Sequence, residues 1–192
     1  MAFSHRDRFI FTKKAGMSFI NIEIKARTNK AGAIRKYLLA NHAEFKGTDF
    51  QTDTYFNTTK GRLKLRQGNI ENNLIYYERE NQAGPKQSNF SLLEVTNPEA
   101  LKAMLAAAVG IKTRVEKQRE IFFIGNVKFH LDILQQLGSF VEIEASNKYA
   151  PLSSAALNEQ CNFYMNEFGI APGDLINISY SDMLLALPDQ AG

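Results

Sequence analysis

Cysteine is almost missing: Cys161 stands alone among 192 residues, so no internal disulfide framework is available and the chain suits a reducing compartment. Cys161 lies at helical spacing from Leu157, Tyr164 and Met165, which reads as a buried structural thiol rather than a nucleophile. Histidine is scarce too, with three scattered residues and none of the Cys/His spacing of a zinc site. No apolar run approaches the ~18 residues of a membrane span, and the first 14 residues offer only Phe9-Ile10-Phe11 and no signal-peptide core. The expectation is a cytoplasmic protein with no membrane partner. A net charge of +3 and a pI near 8.9, without a lysine-rich tract interleaved with aromatics, argue against nucleic acid as a partner. A glycine-rich phosphate loop, internal repeats and low-complexity stretches are all absent.

What is present is an ordinary globular composition, 44% hydrophobic and 22% charged, suited to one domain. Residues 1–17 read as an N-terminal arm with Met17 as an alternative start, 18–187 as the domain and 188–192 as a tail. Within the domain, Asn21-Ile22-Glu23-Ile24-Lys25-Ala26-Arg27 changes polarity at every step. In a strand this puts Asn21, Glu23, Lys25 and Arg27 on one face and Ile22, Ile24 and Ala26 on the other. The pattern returns in Arg62-Leu63-Lys64-Leu65-Arg66, Lys117-Gln118-Arg119, Lys128-Phe129-His130-Leu131-Asp132 and Glu142-Ile143-Glu144.

Between these strands, Asn29 is expected to cap a helix over 30–41 with Ile34, Tyr37, Leu38 and Leu39 on its apolar side. Residues 45–57, 62–67, 74–80, 91–96, 112–124, 126–133 and 139–146 read as further strands. Residues 81–89, with Gly84-Pro85, read as a mobile loop. Asn97-Pro98-Glu99 opens a helix with the stripe Leu101, Met104, Leu105 and Ala108, stopped at Gly110. A second amphipathic helix is expected from Ser153 or Ser154 to Phe168, with Gly169 ending it and a short apolar stretch at 183–187. About eight strands and a few helices indicate an α+β antiparallel sheet. An isolated strand of this type normally turns its charges to water. As a set the strands sort into basic and acidic, and helical stripes are available to cover the aliphatic faces. The expected architecture is therefore a β-barrel with its charges inside.

Two chemistries follow. Glu142 and Glu144 point the same way on one strand, roughly 7 Å apart at Cα. With Asp132 and Glu23 on compatible faces they form an oxygen-rich set for a hard cation, Mg2+ or Mn2+. Lys25, Lys64, Arg66, Arg79, Lys117 and Arg119 form the basic set, with Arg27 and Arg62 at the rim. Enclosed bases are costly without counter-anions, which implies a polyanionic guest gripped by bidentate arginines and point-charge lysines. His130 reads as a hydrogen-bonded structural histidine.

These residues also carry a resemblance. Asn-Ile-Glu-Ile-Lys is similar to the ExExK signature of the CYTH superfamily, the triphosphate tunnel metalloenzymes, and the similarity runs from about Ser18 to Leu187. It includes Leu63 to Arg66, Lys117-Gln118-Arg119, Asp132 and Val141-Glu142-Ile143-Glu144, and lies nearest the class IV adenylyl cyclase branch. The resemblance implies an eight-stranded antiparallel tunnel with flanking helices, a triphosphate substrate and one or two Mg2+ or Mn2+ ions. By position, Glu23, Asp132, Glu142 and Glu144 resemble the metal-binding acids. Lys64, Arg66, Arg79, Lys117 and Arg119 resemble the phosphate clamps, and Lys25 the signature lysine. The sequence departs at Asn21, where the signature has glutamate, and at Arg79, where many relatives have lysine. An amide ligates magnesium more weakly than a carboxylate, which bears on a second metal and on hydrolysis. The implied activity is cyclisation of ATP to cyclic AMP and pyrophosphate. The alternatives are hydrolysis of inorganic or thiamine triphosphate, a non-catalytic binder of polyphosphate or a phosphorylated metabolite, and a plain interaction domain. Monomer and homodimer both remain open.

Overall fold

The computed structural model describes residues 19–79, 84–148 and 150–188; the expected arm at 1–17 and most of the tail lie outside the described residues. Eight antiparallel strands close on themselves in the order β1-β5-β4-β3-β2-β6-β7-β8. They are β1 (Phe19–Arg27), β2 (Glu44–Phe56), β3 (Arg62–Gln67), β4 (Asn73–Arg79), β5 (Lys86–Glu94), β6 (Ile111–Ile124), β7 (Val127–Leu134) and β8 (Gly138–Ser146). Helices α1 (Ala31–Ala40), α2 (Pro98–Val109), α3 (Ser154–Glu167) and α4 (Tyr180–Leu185) flank the barrel, with a short 3-10 turn at Pro172–Asp174.

The barrel is built inside out, as the alternation in the sequence predicts. The outward aliphatics of β1 (Ile22, Ile24, Ala26), β7 (Phe129, Leu131) and β8 (Val141, Ile143, Ala145) form the main core with Ile34 and Leu38 of α1 and Leu157 and Cys161 of α3. Packing of this kind supplies most of the folding free energy, so the inner face is released from that duty. The Cys161 thiol lies 3.1 Å from the Ile22 carbonyl, and burial pushes its pKa up to about 12. It is an inert part of this core.

A second apolar cluster plugs one end. Inward residues Tyr55, Val115, Leu134 and Phe140 pack against Tyr180 and Met183 of α4. The rim arginines serve this plug: Arg27 donates to the Leu137 carbonyl at 2.6 Å, and Arg62 pairs with Asp182 at 2.9 Å. Lys86 joins them, donating to the Ile176 carbonyl at 3.2 Å.

Three local expectations are corrected. Asn29 does not cap α1: the cap residue is Lys30, without a side-chain cap bond, and the Thr28 hydroxyl accepts from the Lys30 amide at 3.0 Å. Residues 86–89 of the expected loop belong to β5, which pairs with β1 from Glu23↔Lys86 to Phe19↔Phe90. Their alternation is hidden because both faces are polar there, Lys86 and Ser88 toward the lumen and Gln87 and Asn89 toward water. Two apolar stripes are also less buried than their spacing suggests. Leu39 is 51% and Met104 70% exposed, and α2 buries none of its residues. By contrast Asn97 caps α2 through the Ala100 amide as expected, and Ser153 caps α3.

Removing bulk from the outer core is predicted to cost far more than removing it from the solvent face. Ile143→Ala is expected to lower the unfolding free energy by roughly 2–5 kcal/mol. Phe50→Ala, at a residue 66% exposed, is expected to change it by less than about 0.5 kcal/mol. Urea unfolding midpoints at constant slope check the contrast.

Candidate functional site

The unplugged part of the barrel holds a cavity of about 350 Å3, lined by Asn21, Glu23, Lys25, Asp53, Lys64, Arg66, Glu71, Lys117, Arg119, Lys128, Glu142 and Glu144 among others. Nine of the ten residues expected as site groups can be placed; the Arg79 side chain lies outside the described residues. Lys25, Lys64, Arg66, Lys117, Arg119, Glu23, Glu142 and Glu144 all meet the cavity. Asp132 is buried behind it.

The basic wall is organised by a carboxylate that the sequence did not single out. Asp53, on the inner face of β2, has Arg66 as its register partner on β3. Arg66 donates to Asp53 through Nε at 2.9 Å and Nη2 at 3.2 Å. Lys117 donates to the same carboxylate at 2.7 Å and Lys64 at 3.1 Å. Burial raises the Asp53 pKa, but Arg66, Lys117 and Lys64 outweigh it and hold the group well below the usual carboxylate range. One ionised carboxylate thus balances three enclosed cations only in part. The shortfall falls on Lys117, whose pKa is brought from 10.5 to about 7 by burial and by Arg119, Arg66 and Lys64, against the pull of Asp53.

The acidic wall encloses a base within the expected four-acid set. Arg119 lies between its members, donating to Asp132 at 2.7 and 2.5 Å and to Glu142 at 2.6 Å. Asp132 also accepts from the Tyr180 hydroxyl at 2.9 Å. Asp132 thus holds Arg119 through Nε and Nη2, and Glu142 accepts from the same Nη2. Glu142 is reached from the other side by Lys25 at 3.0 Å, whose ammonium sits 3.6 Å from the Tyr180 ring centroid. Burial alone would raise the Glu142 pKa, yet Lys25 and Arg119 hold it well below its ordinary value.

The metal-capable set among the described residues is His130, Glu142 and Glu144, whose donor atoms lie within 4.8 Å of one another. His130 Nδ1 is 3.2 Å from Glu142 and 3.6 Å from Glu144. Burial and Arg119 lower the His130 pKa, so the ring is neutral near pH 7. Two carboxylates and a neutral imidazole fit a divalent cation, and the nitrogen suits Mn2+ better than Mg2+. Glu23 faces Glu144 in the register of β1 and β8 and stands beside this set.

Spacing does not single out Asp53, Glu71 or the role of His130, and Lys128, although on the charged face of its alternating strand, is not among the expected bases. Asp53 does share a parity with Asp49, Gln51 and Tyr55 in β2, which was a usable signal. The expectation that the bases require an external anion is also modified, because Asp53, Glu71, Asp132 and Glu142 already satisfy much of the charge internally.

The profile of the CYTH domain matches residues 20–163. Among solved structures, the PH1012 protein of Pyrococcus horikoshii superposes with a TM-score of 0.70 at 23% identity, covering 84% of this chain and 98% of that one. A candidate adenylate cyclase from Vibrio parahaemolyticus gives 0.71 at 19%, covering 87% and 98%. HpAC1 of Hippeastrum, a candidate adenylyl cyclase with a dominant triphosphatase activity, gives 0.58 at 13%, covering 88% and 94%. At such identities the likeness establishes the fold. No curated protein matches the sequence.

Two outcomes follow from the charge balance. Asp53→Asn is expected to lower the unfolding free energy by about 3 kcal/mol, the low end for a broken buried pair because Lys117 can shed its proton. Added inorganic triphosphate is expected to restore stability, and melting curves with and without it check this. Lys117 is protonated in both folded and unfolded chains below about pH 7. Between about pH 7 and its ordinary 10.5 only the unfolded chain keeps the proton, so this group's contribution to stability rises with pH across that window. A bound anion reverses the depression. Calorimetry at pH 8 in buffers of different ionisation heat is expected to show proton uptake on triphosphate binding, lost in Lys117→Met.

Proposed function

Since this chain belongs to the CYTH domain family, we propose that it is a metal-assisted enzyme acting on a nucleoside or other organic triphosphate within the barrel, with adenylyl cyclase as the leading reaction. The observation that carries this reading is the juxtaposition in one cavity of Lys64, Arg66 and Lys117 on Asp53 with Glu142 and Glu144, behind which His130 is buried, and with Arg119 bonded to Glu142. The bases would hold the phosphate chain and offset charge developing on its non-bridging oxygens. Lys25, held between Glu142 and the Tyr180 ring, would place a further positive charge against the phosphate nearest the acids. A divalent cation on Glu142, Glu144 and His130, with Glu23 beside them, would supply charge neutralisation at the reacting phosphate. Asp132 would serve by keeping Arg119 in place.

An apolar sector favours an organic over an inorganic triphosphate. Ile75 and Leu92, and Tyr77 and Phe90, are cross-strand partners on β4 and β5, and all four line the cavity beside Ile70. A ligand of phosphate alone would leave this wall uncovered, whereas pockets for organic ligands combine such walls with a few polar groups. Cyclisation is favoured over hydrolysis by Asn21. It lines the cavity with neutral register partners, Ser88 and Ser146, and brings no carboxylate of its own to a second cation. In the cyclase reaction the substrate's own 3′-hydroxyl attacks the α-phosphorus and pyrophosphate leaves. In the hydrolytic alternative water attacks the terminal phosphorus.

Incubation with ATP, inorganic triphosphate and thiamine triphosphate under Mg2+ or Mn2+ decides between them. The expected products are cyclic AMP and pyrophosphate from ATP, faster with Mn2+. Release of phosphate alone would replace cyclase by triphosphatase. Tight binding without turnover in either metal would leave a binding module.

A further inference from the structure

Glu71 stands in the five-residue connection between β3 and β4, yet its carboxylate reaches across the lumen. One oxygen accepts from Arg66 Nη1 on β3 at 2.8 Å and the other from Lys128 Nζ on β7 at 2.5 Å. In the barrel order β3 and β7 are separated by β2 and β6, so this bridge spans the opening rather than joining neighbours. Its backbone is fixed. Asp49, fully buried, accepts from the amides of Ile70 and Glu71 at 2.9 and 3.0 Å, and Asn69 and Asn72 bond the turn to Thr48 and Gly68. A Cβ on Gly68 would sit 2.4 Å from the Asp49 carboxylate, so only glycine fits beneath this anchor. The carboxylates of Asp53 and Asp132 are 2% and 0% exposed, while that of Glu71 is 21% exposed. Arg66 therefore has one permanent partner, Asp53, and one near the opening that a side-chain rotation alone can release.

We propose that Glu71 is an internal competitor for the anion. In the empty tunnel it occupies the places on Arg66 and Lys128 that one phosphate group of the ligand takes, and it selects for highly charged ligands. A phosphate brings more charge and more acceptor oxygens than a carboxylate, so a polyphosphate chain displaces Glu71 where a singly charged carboxylate or chloride does not. The inference rests on the triphosphate reading of the same cavity, and adds to it the residue that sets the threshold.

The test is calorimetric titration of wild type and Glu71→Gln with inorganic triphosphate at fixed ionic strength, without divalent cations. Glu71→Gln is expected to bind at least tenfold more tightly and to accept pyrophosphate more readily than wild type does. Glu71→Asp keeps the charge but is a methylene short of spanning both cations. It is expected to tighten binding severalfold and carries the test if the glutamine variant melts below the working temperature. Wild-type binding with both variants unchanged or weaker overturns the inference alone, since Glu71 would then be positioning the two cations for the ligand. Absence of triphosphate binding in wild type and variants overturns the triphosphate reading and this inference together.

Discussion

A charge inside a closed barrel can be hydrated only through the barrel's own mouth, and that constraint governs the rest of the structure. Each inward lysine or arginine has to find an anion within the lumen or carry a desolvation cost of several kcal/mol. The protein meets the demand with carboxylates placed on different strands from the bases they serve. Asp53 on β2 gathers bases from β3 and β6, and Asp132 and Glu142 on β7 and β8 share Arg119. The result is preorganised but incompletely balanced. Lys117 sits near its titration point as a consequence, and the cavity is poised to gain from an incoming anion.

This arrangement is affordable because the apolar core lies outside the barrel. The aliphatic faces of β1, β7 and β8 pack under α1 and α3, and α4 fills one end. Stability and function are thus divided between opposite faces of the same strands, and a one-residue slip in register would exchange them. The two walls of the lumen divide as well. Charged strands run through β3, β2, β6, β7 and β8, while β4 and β5 contribute Ile75, Tyr77, Phe90 and Leu92, so a ligand that is anionic at one end and apolar at the other matches the cavity.

Much of this was readable in the order of residues. In β1, β3 and β8 the inward members of the alternation are mostly charged or polar and the others mostly aliphatic, so parity identifies both faces, whereas in β6 Glu116, Gln118 and Glu120 make the outer face polar beside the inward Lys117 and Arg119. The inward direction followed from helices able to cover the oily side. Parity failed in β5, where Lys86, Gln87, Ser88 and Asn89 are polar on both faces, and left β4 ambiguous because Ile75 and Tyr77 face the lumen. The pairings of Asp53 depend on the register of β2 against β3 and β6, and that of Glu71 on a turn reaching across the opening. Neither has a signature in spacing. Asp132 has the predicted parity, but its pairing with Arg119, a base it shares with Glu142, depends on the register of β6, β7 and β8. His130 reads as a structural histidine because its proximity to two glutamates is set by the register of the β7–β8 pair, with Glu142 directly opposite.

The most direct test is anomalous diffraction from crystals grown with Mn2+ and a non-hydrolysable nucleoside triphosphate analogue. The account predicts a manganese peak against Glu142, Glu144 and His130, with phosphate oxygens on Lys64, Arg66 and Lys117 and the organic group against the Phe90 wall. Phosphate density on the outer surface, with the lumen holding neither ion nor ligand, would contradict it.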